Sequence, residues 1–131
     1  MCEDDVALVE AVYEAFARRD LAALLDVLHP QIEWIEPPGD WPFAGLHRGH
    51  EELLAAVLVR LPDDSELLRT EPDEFLQAGE QVVVLGHHRG RSPGGGAPFE
   101  VPFAHIWTMR DGAAVRFRSY VDGSRFAALV L

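Results

Sequence analysis

The chain has 131 residues, 48% of them hydrophobic and 25% charged, with a formal net charge of −11. That length suits one domain able to bury a core, and the charge argues against a nucleic-acid-binding surface. All 11 Lys+Arg residues are arginines, so Schiff-base chemistry and a phosphate-gripping lysine are excluded.

No apolar run approaches the roughly 18 residues that a membrane-spanning helix needs. The first residues, Met-Cys-Glu-Asp-Asp, are acidic where a secretory signal is basic, so a cytoplasmic location is expected. Cys2, the single cysteine, has no partner for an internal disulfide and lies in a segment expected to fray. Residues 1–80 hold 19 acids and 5 arginines, and residues 81–131 hold 3 acids and 6 arginines. This imbalance reads as a solvated acidic helical face, with long-range attraction of a cation as the alternative.

Val6, Val9, Val12, Tyr13 and Phe16 recur at three- and four-residue spacing, which predicts an amphipathic helix from Asp4 to Arg19, with acids in its first turn. Asp20 is placed to cap a second short helix, Leu21 to Leu28, ended by Pro30. Ile32 to Glu36 is a short strand stopped by Pro37-Pro38-Gly39. The loop Asp40 to Gly49 carries Trp41 and Phe43 and is expected to fold over something. A third helix runs from about His50 to Arg60. Strands follow at Arg69–Gln77, Gln81–Arg91, Phe99–Arg110 and Ala113–Val121. Ser92 to Ala97 is a hairpin tip, and Asp111-Gly112 is a two-residue hairpin turn. The tail from Asp122 is apolar enough to end in a helical turn.

The expected architecture is α+β: three N-terminal helices packed in a strongly curved antiparallel sheet, a cone-shaped domain enclosing a pocket over residues 1–131. With a turn at Asp111-Gly112, cross-strand positions sum to 223. His105 then opposes Arg118, Phe103 opposes Tyr120, Trp107 opposes Arg116 and Val101 opposes Asp122, all on one face. The other face carries Ala104, Ile106, Val115, Phe117, Ser119 and Val121. The pattern leaves open which face lines the pocket, and a β-bulge swaps the faces locally.

Phe-Ala-Arg-Arg-Asp-Leu (16–21), Ile-Glu-Trp (32–34), Phe-Ala-Gly-Leu-His-Arg-Gly (43–49), Phe-Ala-His-Ile-Trp-Thr-Met-Arg-Asp-Gly (103–112) and Arg-Ser-Tyr-Val-Asp (118–122) occur in this order. Together they resemble the SnoaL-like branch of the nuclear-transport-factor-2-like superfamily, which includes ketosteroid isomerases, limonene-epoxide hydrolases, polyketide cyclases and scytalone dehydratases. The resemblance implies a pocket for an apolar molecule and places Glu36 where ketosteroid isomerases keep a proton-shuttling aspartate. The two oxyanion-hole positions of those enzymes fall on Val12, one residue from Tyr13, and on Ala104, so steroid isomerisation itself is not expected. The last motif implies a pocket aspartate at Asp122, as in epoxide hydrolases and SnoaL-like cyclases. The Arg-x-Asp pair of the hydrolases is replaced by Arg89-Gly90-Arg91, so epoxide hydrolysis is not expected either.

The candidate catalytic residues are Asp122, Glu36 and His105. Each has a plainer alternative: a helix cap for Asp122, a solvated strand-end carboxylate for Glu36, and an ion-pair or interface role for His105. Candidate ligand contacts are Tyr13, Phe16, Trp34, Trp41, His87, Trp107, Arg118 and Tyr120, for which core packing is the alternative. Alternation sends only one of His87 and His88 inward, and neither they nor His47 and His50 form a recognisable metal motif. No metal and no cofactor are expected. The functional expectation is cofactor-free proton transfer (isomerisation, cyclisation or dehydration) on an apolar cyclic carbonyl compound. The alternatives are a non-catalytic hydrophobic-ligand-binding domain and an assembly module. The expected partners are that small molecule and a second copy of the chain through the outer sheet face, with neither nucleic acid nor membrane.

Overall fold

The computed structural model describes residues 2–94 and 96–130, with side chains from Asp5 onward. The side chain of Cys2, and Gly95 in the hairpin tip, lie outside the described residues. Helix α1 spans Cys2–Ala17 and α2 spans Leu21–Val27. The Asp20 carboxylate accepts from the Ala23 amide at 3.1 Å, the capping bond expected of it. Between the helices, Arg19 adopts φ 57°. Its side chain donates to the carbonyls of Phe16, Asp63 and Leu68, tying the end of α1 to the segment that leads into the sheet.

Strand β1 runs Leu28–Glu36, four residues earlier than expected, and β2 is Gly45–Arg48. Strand β2 lies within the segment Asp40 to Gly49, expected as a loop. Helix α3 covers only His50–Ala56, and a 3-10 turn at Leu58–Arg60 completes the segment. Strands β3 (Arg69–Ala78), β4 (Gln81–Arg91), β5 (Pro98–Arg110) and β6 (Ala113–Tyr120) follow, then helix α4, Gly123–Val130. Among the described residues the fold is α+β, with four α-helices and a curved, open six-strand sheet in the order β2-β1-β6-β5-β4-β3.

The expected four-strand meander is therefore extended at β6, where β1 joins in parallel with Trp34 beside Phe117 and Ile35 beside Arg118. Pro30 sits between Leu28 and Glu33, where that ladder is interrupted, as a residue without an N–H requires. Helices α1, α2 and α3, interleaved with β1 and β2, precede the meander, and the tail forms a further helix, α4, beyond the expected three.

The expected β5–β6 register holds only for the first two pairs. Arg110 faces Ala113 and Met109 faces Ala114, but then a bulge intervenes and Thr108 faces Arg116. From there His105 opposes Ser119, Trp107 opposes Phe117 and Ala104 opposes Tyr120. The reason is burial. The unbulged register would have put Arg116 and Arg118 on the same face as Trp107 and His105, inside the curve. Desolvating two guanidinium groups costs far more than one irregular residue near a turn. With the bulge, Phe117 and Ser119 turn inward while Arg116, Arg118 and Tyr120 turn outward. Arg116 and Arg48 both reach Glu33 on the outer face, at 2.9 and 2.7 Å.

The concave face packs on α1, α2 and α3, and Trp107, Phe43, Leu24, Ile32 and Leu53 are among its fully buried side chains. Gly86 has a packing duty in this core. A Cβ there would lie 2.7 Å from the Phe103 ring and collide with the Glu71 carbonyl, so only glycine lets that ring lie across β4.

Candidate functional site

A cavity of about 80 Å³ lies between α1 and the concave sheet. Most of its wall is apolar, including Phe16, Trp34, Trp107, Phe117 and Phe126, and six polar side chains break it: Tyr13, Glu36, Thr70, His88, His105 and Ser119. In its present volume the cavity is about half of one that accepts benzene in another protein, so a ring-bearing ligand requires the walls to give.

Glu36 owes its place to alternation along β1. Ile32, Trp34 and Glu36 share the inner face, and the strand ends at Pro37 before the chain can turn the carboxylate outward. It is only 9% exposed. Trp34 Nε1–H donates to Oε2 at 2.8 Å. Burial pushes the carboxyl up to about 7, and hydrogen bonds from Trp34 and Ser119 pull it back only in part. A carboxyl that titrates at neutral pH in an apolar wall has the acidity a general base needs.

The second polar group is a chain of three side chains. Trp107 Nε1–H donates to Tyr13 Oη at 3.0 Å. Tyr13 Oη and His105 Nδ1 lie 2.6 Å apart. The indole is a donor only, so the phenol accepts from it, and His105 is the phenol's only other side-chain partner among the described residues, so pairing the buried O–H directs its proton toward His105. Nδ1 is then the acceptor, and the imidazole carries its hydrogen on Nε2. Burial keeps His105 neutral, its pKa well below the ordinary histidine range, and raises that of Tyr13. Phe103 stacks on the imidazole at 3.9 Å between ring centroids.

A third group comes from β4. His88 is inward and buried, and its Nδ1 lies 3.0 Å from Thr70 Oγ1. Burial pushes its pKa down to about 3. Its neighbour His87, the histidine expected to touch ligand, faces outward instead and bonds Asp73 at 2.7 Å. Alternation had required one of the pair to be inward, and the pairing of Gly86 with Phe103 fixes which.

Of the expected site residues, Glu36, His105, Tyr13, Phe16, Trp34 and Trp107 line the cavity together. Asp122 does not. It is exposed, and its Oδ1 and carbonyl accept from the amides of Arg125 and Phe126 at the start of α4, which is the capping alternative. Arg118 and Tyr120 also lie outside, bonded to each other at 3.0 Å on the outer face, because the bulge reverses the side they were assigned. Trp41 is buried but packs beside the cavity. Its indole donates to the Pro37 carbonyl at 2.7 Å and rests on Gly123, where a Cβ would meet it at 2.5 Å. The sequence reading missed His88, Thr70 and Ser119 as site residues. Ser119 was legible only through the bulge, and Thr70 only through the β3–β4 register that sets it opposite His88. Among the described residues, no group of three His, Cys, Asp or Glu side chains is gathered to hold a metal ion. No described helix is long and apolar enough to cross a membrane.

A family model for a SnoaL-like domain matches residues 9–117. An NTF2-like protein of unknown function from Burkholderia pseudomallei K96243 superposes with a TM-score of 0.84 at 32% identity, over 97% of each chain. An NTF2-like protein from Burkholderia xenovorans LB400 gives 0.76 at 35% identity, over 98% of this chain and 97% of that one. TerC, co-crystallised with polyporic acid, gives 0.80 at 33% identity over 95% of each chain. No curated protein matches. With its curved sheet, interior cavity and a match across most of its length, the chain belongs to the SnoaL-like domain family and has the NTF2-like fold.

Proposed function

We propose that the protein catalyses cofactor-free proton transfer on a small apolar carbonyl compound, with Glu36 as the base. The observation that carries this reading is a buried carboxyl, raised by that burial to about 7, in the same apolar cavity as a buried imidazole whose tautomer leaves Nε2–H free to donate. The ionised carboxylate takes a proton from the carbon next to the carbonyl. The C–H electron pair becomes the C=C bond of an enolate, and the negative charge gathers on oxygen, where His105 Nε2–H donates to it. Return of the proton to the same or another carbon completes exchange or isomerisation, and no electron acceptor is consumed. The relative co-crystallised with polyporic acid supports a small-molecule occupant.

Hydrogen–deuterium exchange tests the reading. Acetone and cyclopentanone in D2O, followed by proton NMR, are expected to lose their α-proton signals faster with the protein than without it, and Glu36→Gln is expected to abolish the difference. Equal exchange by the wild type and Glu36→Gln would refute a base role for Glu36.

We also propose a homodimer through the outer sheet face. Leu85, Ala104 and Tyr120 are consecutive cross-strand partners there, and Leu85 and Tyr120 are 37% and 51% exposed. A single dimer species in sedimentation velocity, converted to monomer by Tyr120→Glu, is expected; a monomeric wild type would remove this assignment.

A further inference from the structure

His88 and His105 are built alike, and nothing in the proton-transfer reading uses the first. Both are buried and both line the cavity. Each has its Nδ1 against a hydroxyl, Thr70 for one and Tyr13 for the other. Their ring centroids are 6.0 Å apart. Phe103 keeps them at that spacing, stacked on His105 at 3.9 Å and tilted against His88 at 4.7 Å, and it can lie there only because position 86 is glycine. Phe126 also packs against His88, at 4.4 Å between ring centroids. The two imidazoles are thus wedged by aromatic rings, unable to collapse onto each other. Among the described residues neither Nε2 has a hydrogen-bond partner, yet no side-chain nitrogen or oxygen of those residues is both unsatisfied and shut off from space. The two Nε2 atoms therefore border the cavity.

We propose that His88 and His105 together form a two-donor seat for one carbonyl oxygen, with Thr70 donating to His88 Nδ1 as Tyr13 donates to His105 Nδ1. The inference rests on the proton-transfer reading for its use but not for its geometry. It narrows the substrate class to a neutral ketone, held at its oxygen by two uncharged N–H groups while its α-carbon is offered to Glu36. A buried pair of neutral donors suits an oxygen that becomes negative only during reaction, because the donors are in place before the charge develops. Burial that keeps both rings neutral across the physiological range keeps them as one-proton donors throughout.

Two measurements decide the matter. Nitrogen-15 NMR of the ligand-free protein reads each tautomer, and protonation at Nε2 is expected for both rings. His88 protonated at Nδ1 would overturn the seat whether or not any ketone binds. Infrared spectroscopy of carbonyl-labelled acetone in saturating amounts of the Glu36→Gln protein is expected to show a bound C=O band at lower frequency than in water. His88→Phe, which keeps a ring of similar size, is expected to move the band back and, with Glu36 restored, to slow α-proton exchange by about 100-fold. A band indifferent to His88→Phe, or no bound band at all, overturns the seat. If His88→Phe does not fold by circular dichroism, Thr70→Val serves in its place, and a band and His88 tautomer both unchanged by that variant overturn the seat. A shifted band without exchange by the wild type leaves the seat standing and refutes the base; exchange without a histidine-dependent band does the reverse.

Discussion

Trp34 and Glu36 lie two residues apart on β1, and the indole Nε1–H of the first donates to Oε2 of the second at 2.8 Å. Strand alternation alone puts both on the inner face, and the parallel partner β6 stacks Phe117 on Trp34 at 3.8 Å, fixing the indole in its plane. The bond favours the ionised carboxylate. Trp34→Phe is therefore expected to raise the Glu36 pKa further, by roughly one to two units, the equivalent of a hydrogen bond to a charged group. Carbon-13 NMR titration of the Glu36 carboxyl checks it, and the pH dependence of ketone exchange is expected to move by the same amount.

Stability has a calculable pH signature. Glu36 is raised from 4.5 to about 7, so between those values the folded chain holds a proton that the unfolded chain has lost, and stability falls as pH rises. His88, lowered from 6.5 to about 3, and His105, lowered well below 6.5, act the other way. Below 6.5 the unfolded chain binds those two protons and the folded chain resists them, so stability rises with pH. From 4.5 to 6.5 two histidines outweigh one carboxyl; above 6.5 only Glu36 remains. Among these three groups the optimum falls between about pH 6.5 and 7. Urea unfolding at pH 5, 6.5 and 9 is the check, and Glu36→Gln is expected to be about 3 kcal/mol more stable than wild type at pH 9 relative to their difference at pH 4.

The Trp107–Tyr13–His105 chain predicts a structural cost for Tyr13→Phe. Removal of one oxygen leaves a buried indole N–H and a buried imidazole nitrogen without partners, each worth about 1–3 kcal/mol. A loss of roughly 2–4 kcal/mol in urea unfolding is expected, with a His105 that now populates both tautomers in nitrogen-15 NMR.

Arg19 combines an unfavourable backbone with a useful side chain. Its φ of 57° belongs to the left-handed region, which costs a non-glycine residue roughly 1–2 kcal/mol, while its guanidinium reaches three carbonyls, that of Leu68 at 2.6 Å. Arg19→Ala keeps the strain and loses the bonds, whereas Arg19→Gly loses both. Both variants are expected to be less stable than wild type, and the glycine variant less so by about 1 kcal/mol.

Phe126 is the side chain through which α4 closes the cavity. It is buried against His88 and lines the wall. Phe126→Ala is expected to cost about 3–5 kcal/mol and to enlarge the space beyond its 80 Å³. Its ratio of cyclohexanone to acetone exchange rates is then expected to exceed that of the wild type; a ratio that stays the same would show that α4 does not set ligand size.

The amphipathic spacing of α1, the Asp20 cap, the Asp111-Gly112 turn and the short strand from Ile32 to Glu36 could all be read along the chain. Each depends on neighbours within a few residues, and local spacing determines which side chains share a face. The β5–β6 bulge, the parallel docking of β1 beside β6 and the choice of His88 over His87 could not be read that way. They were decided by which side chains the closed sheet would otherwise bury. Two arginines had to leave the concave face, and one extra residue in β6 released them, taking Tyr120 outward and bringing Ser119 in. Asp122 moved from expected base to helix cap because a carboxylate beside free amides at a helix start is better placed there than in an apolar cavity. The resemblance to ketosteroid isomerases thus made Glu36 a candidate from sequence alone, strand alternation turned it inward, and desolvation, a property of the whole folded interior, gave it the proton affinity of a base.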